Sequence, residues 1–570
     1  MPFVARHLAV VLLASALLFN LPAAAQTETP GDAVQTGAYL AARQASTDND
    51  FAAAVLWHDK ALHGDPTNLT LLESAVTAHL AIGDIAGAAA KGKIMLDLGD
   101  RSQIAYLAVL TGDIMTGNYA KILKDQVEGY TIGTLVDRLI MAWAKVGQGR
   151  MSDAQADFDA IITEPGLAAF GLYHKALALA VSGDFEGADR LLSSPVAQGA
   201  MQLRRAVIAR AQILSQLERN PEAVALIDRT FGPRPDATIA DLRRRLLAGE
   251  PMAFDAARNA TDGLAEVFFT LATALNDTTD QAFVLLYARS AAILRPDHVD
   301  AILMSADILQ ALDQYDLASE VFALVPANDP ARVAARIGQA EAAIRAGRTD
   351  DSVALLQSLA LAAPKDEAVH TALGDALRRK DACDEAILAY NAAIALVPDP
   401  VSGHWPMYYK RAGCQVVLGN WLQAEADFRF ALTLAPDEPR LLNELGYSWV
   451  DQGEHLDEAL AMIQRAVAAS PDTGYIVDSL AWALYRLGRF AEAVAPQEKA
   501  SRLMSVDPIV TDHLGDIYWQ VGRKREAAFQ WRRALSFEPE DKDKARIQRK
   551  LDVGLDQVLD EENPAGGTGD

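Results

Sequence analysis

Two cysteines in 570 residues exclude a disulfide-stapled scaffold. Aromatic residues are scarce, 7% against 51% apolar overall, which suits close-packed, Ala-rich helices better than sheets. No H-E-x-x-H, P-loop, G-x-S-x-G or G-x-G-x-x-G is present, and the ten histidines are scattered. His58 and His63 lie five apart, off any common helical face. The sequence thus offers no catalytic, cofactor-binding or metal-binding set, and reads as a non-enzyme. Basic residues are outnumbered, 52 against 76 acidic, for a net charge of −24. That balance argues against nucleic acid and anionic lipid as partners and keeps a long exposed surface soluble. Long apolar runs are missing except Leu8 to Phe19, which is short for a bilayer span. Arg6 and His7 precede that run and Ala23-Ala24-Ala25 follows it, the pattern of a signal peptide over 1–25. No cysteine follows for lipid attachment, so the mature chain is expected to be periplasmic, with no direct membrane insertion.

What is abundant is a period. From Pro508 the chain reads Thr511, Leu514-Gly515, Tyr518, Ala527, Trp531, Ala534 and Pro539. Leu480-Ala481, Gly488, Ala493 and Ala500 precede their counterparts by about 34 residues, and Leu445-Gly446, Ala459, Ala466 and Pro471 repeat the pattern once more. Small residues at Gly515 and Ala527 allow two helices to touch, and Leu514, Tyr518 and Trp531 fill the space around them. Pro539 ends the second helix. This is similar to the tetratricopeptide pattern, with Thr511 at the first aromatic position and Trp531 in place of Phe. The fold expected is all-α, a right-handed superhelical solenoid of about fourteen helix-turn-helix repeats with a concave groove.

Weaker copies extend towards the N-terminus. Ala42 and Ala54, Gly83 and Ala88, Gly117 to Tyr119, Ala142 and Phe158, Ala176 and Ala188, then Ala211 and Ala223 mark six units. The period slips where Pro233, Pro235, Gly249 and Pro251 punctuate the chain. It resumes at Ala272 and continues through Leu373-Gly374 and Tyr390 to Ala431. The implied organisation is a leader over 26–34, a first array over 35–237, an irregular helical connection over 238–264 and a second array over 265–541. Ile547, Leu551 and Leu555 at helical spacing predict a capping helix over 542–559, before a disordered tail over 560–570.

The runs Leu442 to Tyr447, Asp478 to Tyr485 and His513 to Trp519 resemble the C-terminal signature of a family of bacterial envelope tetratricopeptide proteins. That family includes lipoprotein adaptors of carboxyl-terminal processing proteases. The resemblance covers roughly the last hundred structured residues, and the missing lipid-anchor cysteine departs from those adaptors. It implies a carboxyl-terminal processing protease and its substrates as the partner class.

In such repeats one stripe of each first helix faces the groove. The expected stripe holds Asp375, Arg378 and Arg379; Asn443 and Tyr447; Asp478, Trp482, Tyr485 and Arg486; then Asp512, Asp516 and Trp519. Aromatic anchors among opposed charges suit a polypeptide partner, and paired arginines can grip a carboxylate. The function expected is a non-catalytic scaffold or adaptor. Alternatives are a structural subunit of an envelope assembly or export machine, and an enzyme whose chemistry hides in the irregular middle segment. Cys383 opens one second helix and Cys414 lies near the end of the next first helix. Antiparallel packing brings those ends together, so a disulfide is expected in an oxidising compartment.

Overall fold

In the computed structural model, which describes residues 30–562, every regular element among the described residues is helical. The expected signal peptide, residues 26–29 of the leader and residues 563–570 lie outside the described residues. Helix starts are set by short polar side chains. Asp50, Asn68, Asp84 and Ser102 accept from the backbone N–H groups of Ala53, Leu71, Gly87 and Ala105. Pro439 and Pro508 open later helices, where the missing N–H has no intrahelical partner to lose.

The chain forms two compact units that divide between Gln314 and Tyr315. The first begins with six helix pairs. They are α1 (Pro30–Thr47) with α2 (Phe51–Leu62), α3 (Leu69–Ile82) with α4 (Ile85–Asp97), and α5 (Gln103–Met115) with α6 (Tyr119–Val127). Next come α7 (Thr134–Gly147) with α8 (Met151–Ile162), α9 (Ala168–Val181) with α10 (Phe185–Leu192), and α11 (Arg204–Gln216) with α12 (Asn220–Phe231). A single helix, α13 (Ala237–Leu247), packs on α12. Residues 248–259 then form an extended strap along α11. The strap is held where Met252 N–H donates to Ser215 Oγ (2.9 Å) and Gln216 donates to the Met252 carbonyl (2.6 Å). The unit closes with α14 (Ala260–Leu275), α15 (Gln281–Leu294) and α16 (Val299–Ala311). The irregular connection read over 238–264 is therefore a helix, a strap and the first turn of α14.

The second unit starts at α17 (Tyr315–Phe322). Its pairs are α18 (Arg332–Arg345) with α19 (Thr349–Ala362), α20 (Glu367–Arg379) with α21 (Cys383–Ala395), and α22 (Trp405–Val417) with α23 (Trp421–Leu434). They continue as α24 (Pro439–Gln452) with α25 (Leu456–Ala469), α26 (Gly474–Arg486) with α27 (Phe490–Leu503), and α28 (Pro508–Gln520) with α29 (Lys524–Leu535). The sequence repeat formed by α16 and α17 places one helix in each unit. Within the two units the described residues hold thirteen helix pairs.

The expected capping helix is two helices, α30 (Asp541–Val553) and α31 (Leu555–Glu562), interrupted at Gly554. Residues 560–562, read as tail, belong to α31, where Glu561 and Glu562 pair with Arg549 and Arg546. The small residues sit where helices touch: Ala42, Ala88, Ala142, Ala176, Ala211, Ala386, Ala459 and Ala527 are fully buried. A Cβ on Gly515 would overlap the Trp531 ring. Cys383 and Cys414 are buried free thiols with their sulfurs 2.8 Å apart, so the two helix ends do meet.

Candidate partner-binding stretch on the first helices

In the first unit the inner stripe is already occupied. Helices α14 and α15 pack against α3, α5, α7 and α9, all first helices of their pairs. Gly263 permits the closest approach, since a Cβ there would overlap the Trp143 ring. Trp143 Nε1 donates to His174 Nδ1 (3.1 Å), and the Tyr119 and Thr261 hydroxyls lie 2.9 Å apart. Arg289 donates from Nε to the Ala81 carbonyl (3.0 Å) and from Nη2 to the Ile82 carbonyl (2.8 Å). Two end carbonyls of α3 are thereby satisfied, and a cation meets the negative pole of that helix. Glu266, 0% exposed, is the polar centre. It accepts from Tyr173 (2.8 Å) and from Arg205 (2.8 Å), and His298 Nε2 lies 3.1 Å away. Burial alone would raise its carboxyl pKa, but Arg205 and His298 outweigh burial and hold it well below the usual range.

At the far end of the second unit the stripe is also covered. Asp512 and Asp516 face Lys550 of α30, whose Nζ is 2.7 Å from both carboxylates and whose residue is 1% exposed. Arg546 stands 3.8 and 3.6 Å from the same two groups. Burial, then the neighbouring Asp516, push Asp512 up to about 6 against the pull of Lys550. Trp519 lies 5.3 Å from Trp531 and beside Gly554, where a Cβ would come within 2.7 Å of its ring. Asp512, Asp516 and Trp519, read as groove residues, thus have partners within the chain. The reason is the register of α30, which sets Lys550 over α28.

One repeat back, the stripe forms an internal stack. Trp482 is sandwiched between Tyr485 (4.7 Å, 7° between planes) and His513 (4.0 Å, 12°). Asp478 is buried, accepting from Gln497 (2.5 Å), with His513 Nδ1 3.1 Å away. Burial would lower the His513 pKa, but Asp478 reverses this and raises it. Arg486 donates to the Asp451 carbonyl (3.1 Å).

Earlier in the second unit the stripe stays open. Arg378 and Arg379 are exposed, and Asp375 accepts from Tyr390 (2.7 Å) and Lys410 (2.6 Å). Beside them a cavity of about 200 Å³ is lined by Glu341, Arg345, Asp375 and Arg379. Tyr447 is half-buried, and Asn443 is 3% exposed with no partner for its Oδ1. Sequence reading missed three neighbours here: Tyr409, Glu444 and Tyr475. Tyr409 could have been found, because it precedes Asn443 by the repeat length of 34. Glu444 and Tyr475 fall beside the stripe rather than on it, and no spacing points to them.

The pairing of helices and the small-residue contacts define a tetratricopeptide-type solenoid. The tetratricopeptide repeat family model matches residues 337–399, 415–473 and 452–503, all within the second unit. The chain is similar to TPR repeat-containing protein PA4667 of Pseudomonas aeruginosa, 29% identical over 212 residues, or 37% of this chain. That match spans 34% of the relative's length, about a third. Among solved structures, the Cut9–Hcn1 hetero-tetramer of the APC/C aligns with a TM-score of 0.39 at 15% identity, covering 91% of this chain and 96% of that one. Yeast Tom70 aligns at 0.32 and 13%, covering 94% and 98%.

Proposed function

We propose that this protein is an exported, periplasmic scaffold that binds polypeptide partners along α20, α22, α24 and α26 and serves as an adaptor of a carboxyl-terminal processing protease. The observation that carries the reading is where the first-helix stripe is uncovered. The inner stripe of the first unit is filled by α14 and α15, and the end of the second by α30. What remains open presents Arg378, Arg379, Tyr447 and Tyr475 to solvent at least in part. Exposed cations and tyrosines on rigid helices suit a partner that adds its own contacts, because such residues concentrate binding energy at interfaces. The resemblance of the C-terminal repeats to envelope protease adaptors supports the partner class.

Affinity capture tests this directly. The full-length mature protein, with and without the changes Arg378→Glu, Arg379→Glu and Tyr475→Ala, serves as bait in a periplasmic extract. All three side chains are exposed, so the fold should persist. Wild type should recover a processing protease and the triple variant should lose it. Equal recovery by both baits would place the binding surface elsewhere.

A further inference from the structure

The cover on the first unit stops short of its first helix. Helices α14 and α15 pack against α3, α5, α7 and α9, with no comparable contact to α1. Beside the uncovered face of α1 lies a cavity of about 410 Å³. Its walls include Tyr39, Arg43 and Ser46 of α1, His58 of α2, and Thr70 and Ser74 of α3. Tyr39, Arg43 and Ser46 recur at the spacing of one helical face. Arg43 holds the stripe position, preceding Phe51 by the same eight residues that separate Trp482 from Phe490. His58 is 3% exposed, and its Nε2 lies 2.8 Å from Ser46 Oγ. Its buried Nδ1 has no hydrogen-bond partner among the described residues. Among the same residues the Arg43 guanidinium makes no ion pair or hydrogen bond, and the hydroxyls of Tyr39, Thr70 and Ser74 make no hydrogen bond. In a chain of net charge −24, no carboxylate of the described residues lines this cavity.

We propose that this cavity binds a small organic acid, its carboxylate held by Arg43 and by the hydroxyls of Ser46, Thr70 and Ser74. The site is separate from the surface on α20 to α26 and would serve a second kind of ligand. The donors decide the class. A cation would meet Arg43 with no carboxylate to offset it. A neutral apolar molecule would displace water from a guanidinium and three hydroxyls without replacing the hydrogen bonds lost. A carboxylate accepts from all of them, and its bond to a guanidinium is of the strong, charge-assisted kind. Burial lowers the His58 pKa and outweighs the pull of Asp59, so the ring is neutral near pH 7. Arg43 is then the one cation facing the cavity among the described residues. One cation matches a carboxylate, whereas a phosphate monoester carries nearly two charges at pH 7. His58 is a positioning residue. With Nδ1 unpartnered, no bond within the chain fixes its tautomer. The form protonated at Nε2 donates to Ser46 Oγ and turns the Ser46 hydroxyl hydrogen towards the carboxylate. Tyr39 and Leu71 supply apolar wall, and the volume lies within the ordinary range for small-molecule sites.

Ligand-observed NMR, followed by calorimetry of each binder, tests this on the full-length mature protein. The probes are hexanoate, benzoate, 3-phenylpropionate and indole-3-acetate, each compared with its primary amide. At least one acid should bind, and its amide should bind at least tenfold more weakly. Arg43→Gln should weaken that acid at least tenfold, and Arg43→Lys should restore part of the loss. Arg43 is exposed, so neither change should move the melting temperature. Ser46→Ala and His58→Gln should each narrow the gap between acid and amide, a ratio that lost packing alone would not change. The two together should narrow it no further than Ser46→Ala does, since His58 acts through Ser46. No binding by any of the four acids, equal binding of acid and amide, or equal affinity in wild type and Arg43→Gln would overturn the site. Binding should survive Arg378→Glu, Arg379→Glu and Tyr475→Ala together. Its loss there would place the acid in the second unit and overturn the assignment as well.

Discussion

Lys550 stands between two buried carboxylates, so its loss and the loss of one carboxylate should act in opposite directions. Lys550→Met leaves Asp512 and Asp516 facing each other without their nearest cation, and should cost roughly 3–5 kcal/mol at the C-terminal end. Hydrogen exchange over α28 and α30 would report it. Asp512→Asn relieves the repulsion instead. A carboxyl whose folded pKa is raised to about 6 stabilises the fold fully below its ordinary range, and that contribution is lost as pH rises through about 6. The Asn variant should therefore exceed wild type in stability at pH 7.5, with the advantage gone near pH 4. Melting curves across that range decide it. The two thiols carry a separate expectation. Denatured without reductant, protein recovered from the periplasm should resist alkylation at Cys383 and Cys414 until reduced, while the same chain kept in the cytoplasm should label at both. Equal labelling in the two preparations would show that the thiols stay free.

At the scale of the helix, the determining contacts are those that admit no larger side chain. Ala527 is fully buried, and Gly515 abuts Trp531 in the same pair. Ala527→Leu should force α28 and α29 apart, cost roughly 1–3 kcal/mol and open the C-terminal end to proteolysis first. These contacts were legible in the sequence because they recur at one period and lie within a pair. Leu514, Tyr518 and Trp531 occupy the slots their spacing assigned. The packing of α14 and α15 was not legible. Its key contact joins Gly263 to Trp143, and no local pattern relates residues 120 positions apart. Nor was the cover on α28, since the helical spacing of Ile547 and Leu551 indicates an inner face without saying which helix it meets. The spacing assigns the stripe a repeat position, but the sequence carries no sign of where that stripe stays open.

Over the whole molecule, the first unit is built around its own hairpin and the second is capped at its end by α30, so each should lose structure for its own reason. Glu266→Gln removes the charge that Arg205 and His298 face inside the first unit, and should cost about 3–5 kcal/mol there. Calorimetry should show the transition of that unit shifted while that of the second stays in place. The hairpin also has a temporal consequence. Arg289 closes on Ala81 across 208 residues and Glu266 on Tyr173 across 93, so these contacts form late by sequence separation. A chain emerging from the N-terminus completes its first six pairs before their cover exists. Export would prolong that interval and leave an apolar concavity lined by α3 to α9 open to whatever it meets. A chain ending at residue 259 should therefore aggregate where one ending at 314 stays soluble. Folding of the first unit then depends less on the strength of any single contact than on how quickly α14 and α15 follow α13 as the chain emerges.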